Sequence, residues 1–452
     1  MTSAETTKSP AEPVSPARTA LETVASAWRQ NSEILGNAGT LIATAAVSAL
    51  LGFAFWTVAA HSFSQAAIGY AAATTSAMTF LGTIGMFGLG TLLIAELPKR
   101  AARANLVAAA MLAAGLGSLL IGLIFVLAAP HVSASLRNSD GSLIGAVVLV
   151  AGVALTAATF VFDQASIALL RGGLQLSRNV FLAAAKIVVL PAATYVLHDQ
   201  FGNGIALSWV AGTVISITPV AIWLRWTGTR LIRQPDWGVL GSMRRTVIAY
   251  NWLGLALTTP TLLIPILVTV LVSPAANGAF YAAWMMVSML FLIPTDLSMV
   301  LFAVASGSTQ ALARKLRFTL AVSLLAGLPG IAALGFAGHL ALGIFGPGYV
   351  REAALPLSLL AIAYVPTVPR SHYIVVSRAT GKMSQAATVM TVAAIMEMAA
   401  VVLGAKWNNL VGLSVALLGV KCLTGAVVTP AVVRAALPHG RHRRAGAALA
   451  CR

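Results

Sequence analysis

Acidic residues are scarce in this chain of 452 residues. Only 12 aspartates and glutamates stand against 29 lysines and arginines, which gives a formal net charge of +17. Charged residues of both signs make up 9% of the chain and hydrophobic residues 58%, and the mean hydropathy is +0.88. A soluble globular protein does not carry so much apolar surface. The sequence therefore predicts that lipid is the solvent for most of the chain.

Cysteine is almost absent, which excludes a disulfide scaffold. Cys422 lies in an apolar run and Cys451 in a basic tail, so neither indicates a metal site. Among the histidines only His439 and His442 are close in sequence, and arginines rather than carboxylates surround them. We predict no metal and no cofactor.

Two further classes of function are disfavoured. The basic residues are spread over many short loops instead of along one face, so we predict no nucleic-acid partner. No Walker motif is present, and the short external loops cannot house a catalytic domain. The first of them, residues 61–66, also lacks the acidic residues that a lipid-linked glycosyltransferase would need. We predict that the chain is not an enzyme.

Long apolar runs are abundant, and they predict the fold class. A spanning helix needs about 20 apolar residues to cross about 30 Å of hydrocarbon, and its backbone must be satisfied within the segment. The sequence contains twelve such runs: 36–60, 67–94, 105–129, 143–168, 180–197, 204–225, 247–272, 279–305, 318–344, 354–377, 386–404 and 411–433. We predict an all-α membrane protein of about 12 transmembrane helices.

The connections between these runs differ in charge. One alternate set, together with the tails, holds 23 of the 29 basic residues, whereas the other set holds only Arg137, Arg351 and Lys406. The positive-inside rule places the basic set in the cytoplasm. We therefore predict a multi-pass plasma-membrane protein with both termini in the cytoplasm.

The longest basic connection divides the chain near its midpoint. Residues 226–246 suit a cytoplasmic linker between two pseudo-symmetric six-helix lobes, 36–225 and 247–433. The same linker alternatively lies on the surface and contacts anionic membrane lipids. Residues 1–35 are polar and are predicted to be a disordered cytoplasmic tail, and residues 434–452 form a basic cytoplasmic tail.

A weak internal repeat relates the two halves. Tyr70 and Tyr281 each begin a Tyr-Ala-Ala triplet, and a methionine, a phenylalanine and a leucine follow each triplet at the same offsets. Repeated membrane halves are typical of alternating-access transporters.

Ionisable residues inside the predicted spans are candidate functional residues, because each costs about 2.5–3.5 kcal/mol on insertion scales. There are six: Asp163, Lys186, Asp296, Arg370, Glu397 and Lys421. Asp163 and Lys186 lie at similar depth, about 12 Å along antiparallel neighbours. We predict either a structural salt bridge between them or two cavity-facing groups, with Lys186 on an anionic part of the substrate.

The second half repeats this pattern with a poorer match in depth. Arg370 and Glu397 differ by about 10 Å along their helices, which a long arginine spans only in part. Pro366 and Pro369 precede Arg370 and are predicted to bend its helix, as in many binding sites. The planar guanidinium suits phosphate oxygens, so a substrate role for Arg370 is predicted beside a structural one.

Three further residues complete the predicted site. Asp296 and Lys421 have no sequence partner and are expected to pair across the second lobe, with proton coupling through Asp296 or Glu397 as an open alternative. Lys421 is also a candidate cation for the substrate. Asn251 either hydrogen-bonds between helices or faces the substrate.

Diffuse motifs are spread over about residues 31–435: Asn37 through Trp56, the residues 59–64, Gly69-Tyr70, the residues 85–90, Phe162-Asp163-Gln164, the residues 170–173 and Arg178-Asn179. With these motifs the chain resembles bacterial polysaccharide-biosynthesis membrane proteins of the multidrug/oligosaccharidyl-lipid/polysaccharide flippase superfamily. The resemblance implies two six-helix lobes around a V-shaped cavity and a polyprenyl-diphosphate-linked oligosaccharide as substrate. It implies that Lys186, Arg370 and Lys421 contact the diphosphate or sugar acids.

The resemblance leaves three functions open. The leading one is a flippase for cell-surface polysaccharide biosynthesis, with glycosyltransferases or a polymerase of the same pathway as partners. A cation-coupled multidrug exporter of the same fold is the second, although the run 36–60 contains no carboxylate. The third is a non-transporting scaffold of a polysaccharide-assembly complex.

Overall fold

The computed structural model describes residues 32–99, 103–132, 143–169, 171–197, 202–226, 234–238, 244–304 and 309–437, and helices are the only regular structure in these ranges. The first half contains α1 (Ser32–Ser62), α2 (Gln65–Gly85), α3 (Leu89–Glu96), α4 (Arg103–Val132), α5 (Leu143–Ala168), α6 (Gly172–Leu197) and α7 (Asn203–Trp226). The second half contains α8 (Arg244–Leu271), α9 (Pro274–Val304), α10 (Thr309–Phe336), α11 (Gly338–Gly343), α12 (Pro347–Ile362), α13 (Tyr364–Ala379) and α14 (Met383–Ala436).

These helices confirm the predicted fold class. Eight of the described helices are individually long and apolar enough to cross a membrane, and α12 with α13 makes a ninth, bent span. The 54 residues of α14 are too many for one crossing, and two non-helical residues, Asn408 and Asn409, divide it into two arms. With α1 and α2, the chain forms two pseudo-symmetric lobes of six spanning helices.

The two arms of α14 approach each other closely beside this turn. A Cβ at Gly404 would lie 2.5 Å from the carbonyl oxygen of Gly412, and Asn409 has a positive φ of 45°. Glycine at these two sites removes the side chains that would separate the arms, and asparagine tolerates the left-handed backbone better than most residues. The sequence therefore allows two spans with almost no connecting loop.

Two predicted runs are broken helices. The run 67–94 splits into α2 and α3 at residues 86–88, where Gly88 has the left-handed φ of 76°. The run 354–377 splits at Ala363 into α12 and α13, which meet at a bend of 44°. The bend predicted from Pro366 and Pro369 is therefore present, because proline removes a donor and its ring clashes with the preceding turn.

The largest apolar core joins the two lobes. α2 packs against α8 and α9, and α9 also packs against α1. Buried side chains from both halves form this core, and Trp56 and Tyr281 meet edge to face with their ring centroids 4.8 Å apart. The repeat-related helices α2 and α9 therefore pack on each other where the two lobes meet.

The starts of α2 and α9 are built alike. Ser64 and Ser273 each accept a hydrogen bond from the backbone N–H three residues later, at 3.2 Å and 3.0 Å. This N-cap satisfies a donor that the helix itself cannot. Tyr70 is the sixth residue of α2 whereas Tyr281 is the eighth of α9, so the Tyr-Ala-Ala motif is shifted by two residues relative to the helix starts.

Glycines allow the backbones of α2 and α9 to touch at this end. A Cβ at Gly69 would lie 1.7 Å from the carbonyl oxygen of Pro274, and a Cβ at Gly278 would lie 2.3 Å from that of Gln65. Asn277 donates its Nδ2 to the Gly69 carbonyl at 2.8 Å, and Gln65 donates its Nε2 to Ala275 at 2.9 Å. These contacts hold the lobes together at the end opposite the basic connections.

We expect Gly69→Ala to force the lobes apart at this end, since its methyl group would overlap a backbone atom. Spin labels at Ser62→Cys and Ile344→Cys, with Cys422 and Cys451 replaced by serine, measure the separation. The Gly69→Ala variant should show a longer distance. Gly254→Ala is the matched control, because a Cβ there meets nothing within 4 Å, and an equal distance in both variants would contradict the prediction.

Candidate functional site

The buried carboxylate of the first lobe is neutralised within its own helix pair. The carboxylate of Asp163 in α5 accepts hydrogen bonds from Nε and Nη2 of Arg178 in α6, at 2.8 Å and 2.5 Å. Both side chains are buried. The predicted pair of Asp163 with Lys186 is therefore wrong. The apolar run 180–197 leaves Arg178 in the connection before it, whereas α6 begins at Gly172 and carries Arg178 into the lobe.

Lys186 is held by aromatic rings instead of by a carboxylate. Its Nζ lies 3.7 Å from the ring centroid of Trp209 and 4.9 Å from that of Phe55. Among the described residues no carboxylate lies within ion-pair distance, although only 5% of Lys186 is exposed. Ring faces are electron-rich and attract a cation, more strongly where water is excluded.

The neighbouring helix α7 accommodates the long side chain of Lys186. A Cβ at Gly212 would lie 2.7 Å from Cγ of Lys186, so α7 leaves room for the lysine stem. Phe55 belongs to the core that joins the lobes, and Trp209 packs against that core. Lys186 therefore lies beside the lobe interface with its charge uncompensated by any anion of the described residues.

The second lobe contains a cluster of three charges. Oε1 of Glu397 accepts a hydrogen bond from Nη1 of Arg370 at 2.5 Å. Its other oxygen, Oε2, accepts one from Nζ of Lys421 at 3.2 Å. Glu397 is 1% exposed and Arg370 is 14% exposed. The cluster carries one net positive charge, and Arg370 is its most accessible member.

This cluster settles two pairings predicted from the sequence. Arg370 does reach Glu397 despite the unequal residue counts, because its Nη1 bonds directly to Oε1 of Glu397. The predicted pair of Asp296 with Lys421 is wrong, since Lys421 bonds to Glu397. Lys421 also lies 5.8 Å from the ring centroid of Phe291, one of the repeat residues.

Lys186 and Glu397 occupy equivalent places in the two lobes. Each stands fourteen residues after the first residue of its helix, Gly172 or Met383. The pseudo-symmetric scaffold therefore presents a single lysine in one lobe and a carboxylate flanked by two cations in the other. Both arrangements, the lysine of the first lobe and the three-charge cluster of the second, leave net positive charge inside the molecule.

The remaining predicted residues lie apart from these clusters. Asp296 of α9 is half-buried, and its Oδ2 has no hydrogen-bond partner in the described structure. Asn251 is a residue of α8, and its side chain is not among the parts of the chain that the structure describes. No group of histidine, cysteine, aspartate and glutamate in the described ranges is arranged to hold a metal ion.

The partners of these charges were missed at the level of sequence. Arg178 carried a usable signal, because an arginine six residues into a helix and a carboxylate near the end of its antiparallel neighbour lie at similar height. The sequence contains no signal that places Trp209 and Phe55 beside Lys186, because aromatic residues are common in apolar spans. Only the packing of α1, α6 and α7 brings these two rings to Lys186.

Comparisons with known proteins identify the fold. No family model and no curated protein matches the sequence. A solved inward-facing multidrug resistance MATE family transporter of the MOP superfamily is similar, with a TM-score of 0.67 and 13% identity over 86% of this chain and 94% of that one. An outward-facing transporter of the same family gives a TM-score of 0.58 and 14% identity over 89% and 97%.

A third similar structure is a MOP superfamily transporter from Pyrococcus furiosus, described as having a binding pocket of reversed polarity. It gives a TM-score of 0.56 and 14% identity over 89% of this chain and 95% of that one. The chain therefore has the fold of these transporters. Its similarity is greater to the inward-facing form than to the outward-facing one.

We expect Asp163→Asn to destabilise the protein by about 3–5 kcal/mol, because it leaves a buried arginine without its counter-charge. Denaturation followed by tryptophan fluorescence measures the loss. The double variant Asp163→Leu/Arg178→Met should recover most of it, since both charges are then absent. Asp296→Asn is the matched control and should change stability much less, and equal losses in the two single variants would refute this account.

Proposed function

We propose that the chain is an alternating-access transporter that flips a polyprenyl-diphosphate-linked oligosaccharide across the plasma membrane for cell-surface polysaccharide biosynthesis. The observation that carries the proposal is the positive charge of the interior. Asp163 and Glu397 are neutralised by arginine and lysine, whereas Lys186 has no anion beside it among the described residues. A site of this sign favours an anionic substrate.

The diphosphate explains why such charge would be retained inside a membrane protein. Moving a diphosphate through hydrocarbon is prohibitive unless cations replace its water shell. Arg370 offers a planar fork for two phosphate oxygens, and it is the most exposed residue of its cluster. Lys186 offers a point charge in the opposite lobe. A headgroup between them would receive donors from both lobes.

An apolar cleft of about 320 Å³ between α8 and α14 suits the other part of the substrate. Trp252, Ile395 and Met398 are among its lining residues, and the first two are more than half exposed. Ile395 and Met398 lie on either side of Glu397 in the sequence of α14, so the cleft and the charged cluster lie at the same height along this helix. We propose that the polyprenyl chain follows this cleft while its headgroup occupies the interior.

Alternation of access requires lobes that separate at either end. The close contact of α2 with α9 supports a state closed at the end opposite the basic connections. The greater similarity to the inward-facing relative supports the same assignment. With both termini in the cytoplasm, as the charge distribution predicts, this is the state that receives substrate from inside the cell.

Two proposals concern what surrounds the transporter. We propose that anionic lipids contact its basic cytoplasmic face, and that glycosyltransferases or a polymerase of the same pathway supply or use its substrate. A scaffold without transport activity would show the same surface. Purified protein in vesicles separates these cases, since only a transporter moves substrate without its partners.

One observation favours the multidrug alternative. The unpartnered Oδ2 of Asp296 would attract an organic cation or a proton, and two of the similar structures are multidrug resistance transporters. Asp296 is a single carboxylate against the larger positive charge of the interior. We therefore place this function second.

We expect Lys186→Gln and Arg370→Gln each to slow flipping about tenfold or more, because each removes a charge-assisted hydrogen bond to the diphosphate. Proteoliposomes containing a fluorescent polyprenyl-diphosphate sugar, with quencher added outside, measure the rate. Lys406→Gln and Arg351→Gln are matched controls, since both residues are exposed at the ends of their helices.

The outcomes separate the candidate functions. Wild-type protein that flips no such lipid but exports an organic cation, with loss in Asp296→Asn, would favour the multidrug exporter. Equal rates in the interior variants and the control variants would contradict the role assigned to Lys186 and Arg370.

A further inference from the structure

Two clefts lie at the end of the molecule that bears the basic connections, one in each lobe. The first, of about 460 Å³, lies between α6 and α7 and is lined by Arg171, Leu174, Val220 and Trp223 among others. The second, of about 500 Å³, lies between α13 and the two arms of α14, and its lining includes Lys382, Gln385, Ala431 and Arg434.

Four of the eight described lining residues of the first cleft have repeat-related counterparts in the lining of the second. Arg171 immediately precedes α6, and Lys382 immediately precedes α14. The other lining residues named above match in pairs at the same sequence spacing: Leu174 with Gln385, Val220 with Ala431, and Trp223 with Arg434. Each half therefore has a cleft with a cation immediately before a helix, Arg171 in the first half and Lys382 in the second.

Arg171 has an unused donor in the first cleft. Its guanidinium lies 6.0 Å from the ring centroid of Trp223, and its Nη1 is buried without a hydrogen-bond partner in the described structure. A buried donor without an acceptor is costly, and most such donors in proteins have a partner. An anionic oxygen in the cleft would supply the missing acceptor.

The second cleft carries two cations. Lys382 and Arg434 both line it and are exposed, and Arg434 donates its Nε to the carbonyl of Pro430 at 3.1 Å. The hydroxyl residues Ser377 and Thr380 also line the cleft. Among the described lining residues of the two clefts there is no aspartate or glutamate, so the side-chain charge that these residues contribute is positive.

Helix dipoles do not change this sign. Each cleft lies where one helix begins, α6 or the first arm of α14, and where another ends, α7 or the second arm of α14. A helix start carries partial positive charge and a helix end partial negative charge, so the two contributions offset each other.

We propose that both clefts bind the phosphate headgroup of an anionic glycerophospholipid, with its acyl chains against the apolar wall. The walls favour a lipid over a soluble phosphate, because exposed apolar side chains lie next to the cations. Phe181 and Trp223 are 47% and 43% exposed in the first cleft, and Val427 is 63% exposed in the second. The sites lie at matched positions in the two lobes, at the level of the basic loops.

Native mass spectrometry of the full chain released from nanodiscs, with phosphatidylglycerol added to a phosphatidylcholine background, tests the proposal. We expect two phosphatidylglycerol molecules on the wild-type chain. Arg171→Gln should weaken binding of one of them, and Lys382→Gln/Arg434→Gln should weaken binding of the other. The apparent dissociation constant at the affected cleft should rise about fivefold for each cation removed. Arg171→Lys, which keeps the charge, should retain most of the binding.

Lys406→Gln is the matched control, since it removes one exposed cation outside both clefts. Phosphatidylglycerol binding that is the same in all variants would overturn the proposal. Displacement of the lipid by free glycerol phosphate at equal concentration would also overturn it, because the clefts would then be sites for a soluble anion. Flipping of a lipid-linked sugar is not measured in this experiment, so its result is independent of the function proposed above.

Discussion

The cost of an unpaired charge away from water governs how this molecule is built. Lipid and apolar side chains surround most of the chain, so each interior charge must find an opposite charge or a polarisable surface. Asp163 and Glu397 bond to basic groups, and Lys186 lies against two aromatic rings. Because the basic groups outnumber the acidic ones in these clusters, neutralisation is incomplete and the interior stays positive.

The two lobes share a backbone plan but differ in charge at equivalent positions. Lys186 and Glu397 stand at the same place in α6 and α14, yet one is a cation and the other a carboxylate. The carboxylate brings Arg370 and Lys421 with it, so the sign of the surroundings is preserved. Both lobes therefore have net positive charge around this position, although different residues supply it in each lobe.

Hydropathy was sufficient to predict the helices, because lipid leaves a long apolar segment no alternative to a helix. The pairs of charges were harder to predict. Counting residues from a loop assumes that the helix ends are known and that paired residues lie at equal depth. Arg178 lies inside α6 and bonds to Asp163 in place of Lys186, and Arg370 bonds to Glu397 although their residue counts from the loop differ. Aromatic contacts to Lys186 depend on packing alone, which the linear pattern does not contain.

The placement of the ion pairs bears on movement between the lobes. In the described structure every ion pair in the spans lies within one lobe, Asp163 with Arg178 in the first, and Glu397 with its two cations in the second. The lobes meet through apolar and aromatic side chains, glycine backbone contacts and hydrogen bonds of Gln65 and Asn277. Separating them would expose no uncompensated carboxylate of these pairs. Each lobe therefore can move as a rigid body, since the bonds that would be most costly to break inside the membrane move with it.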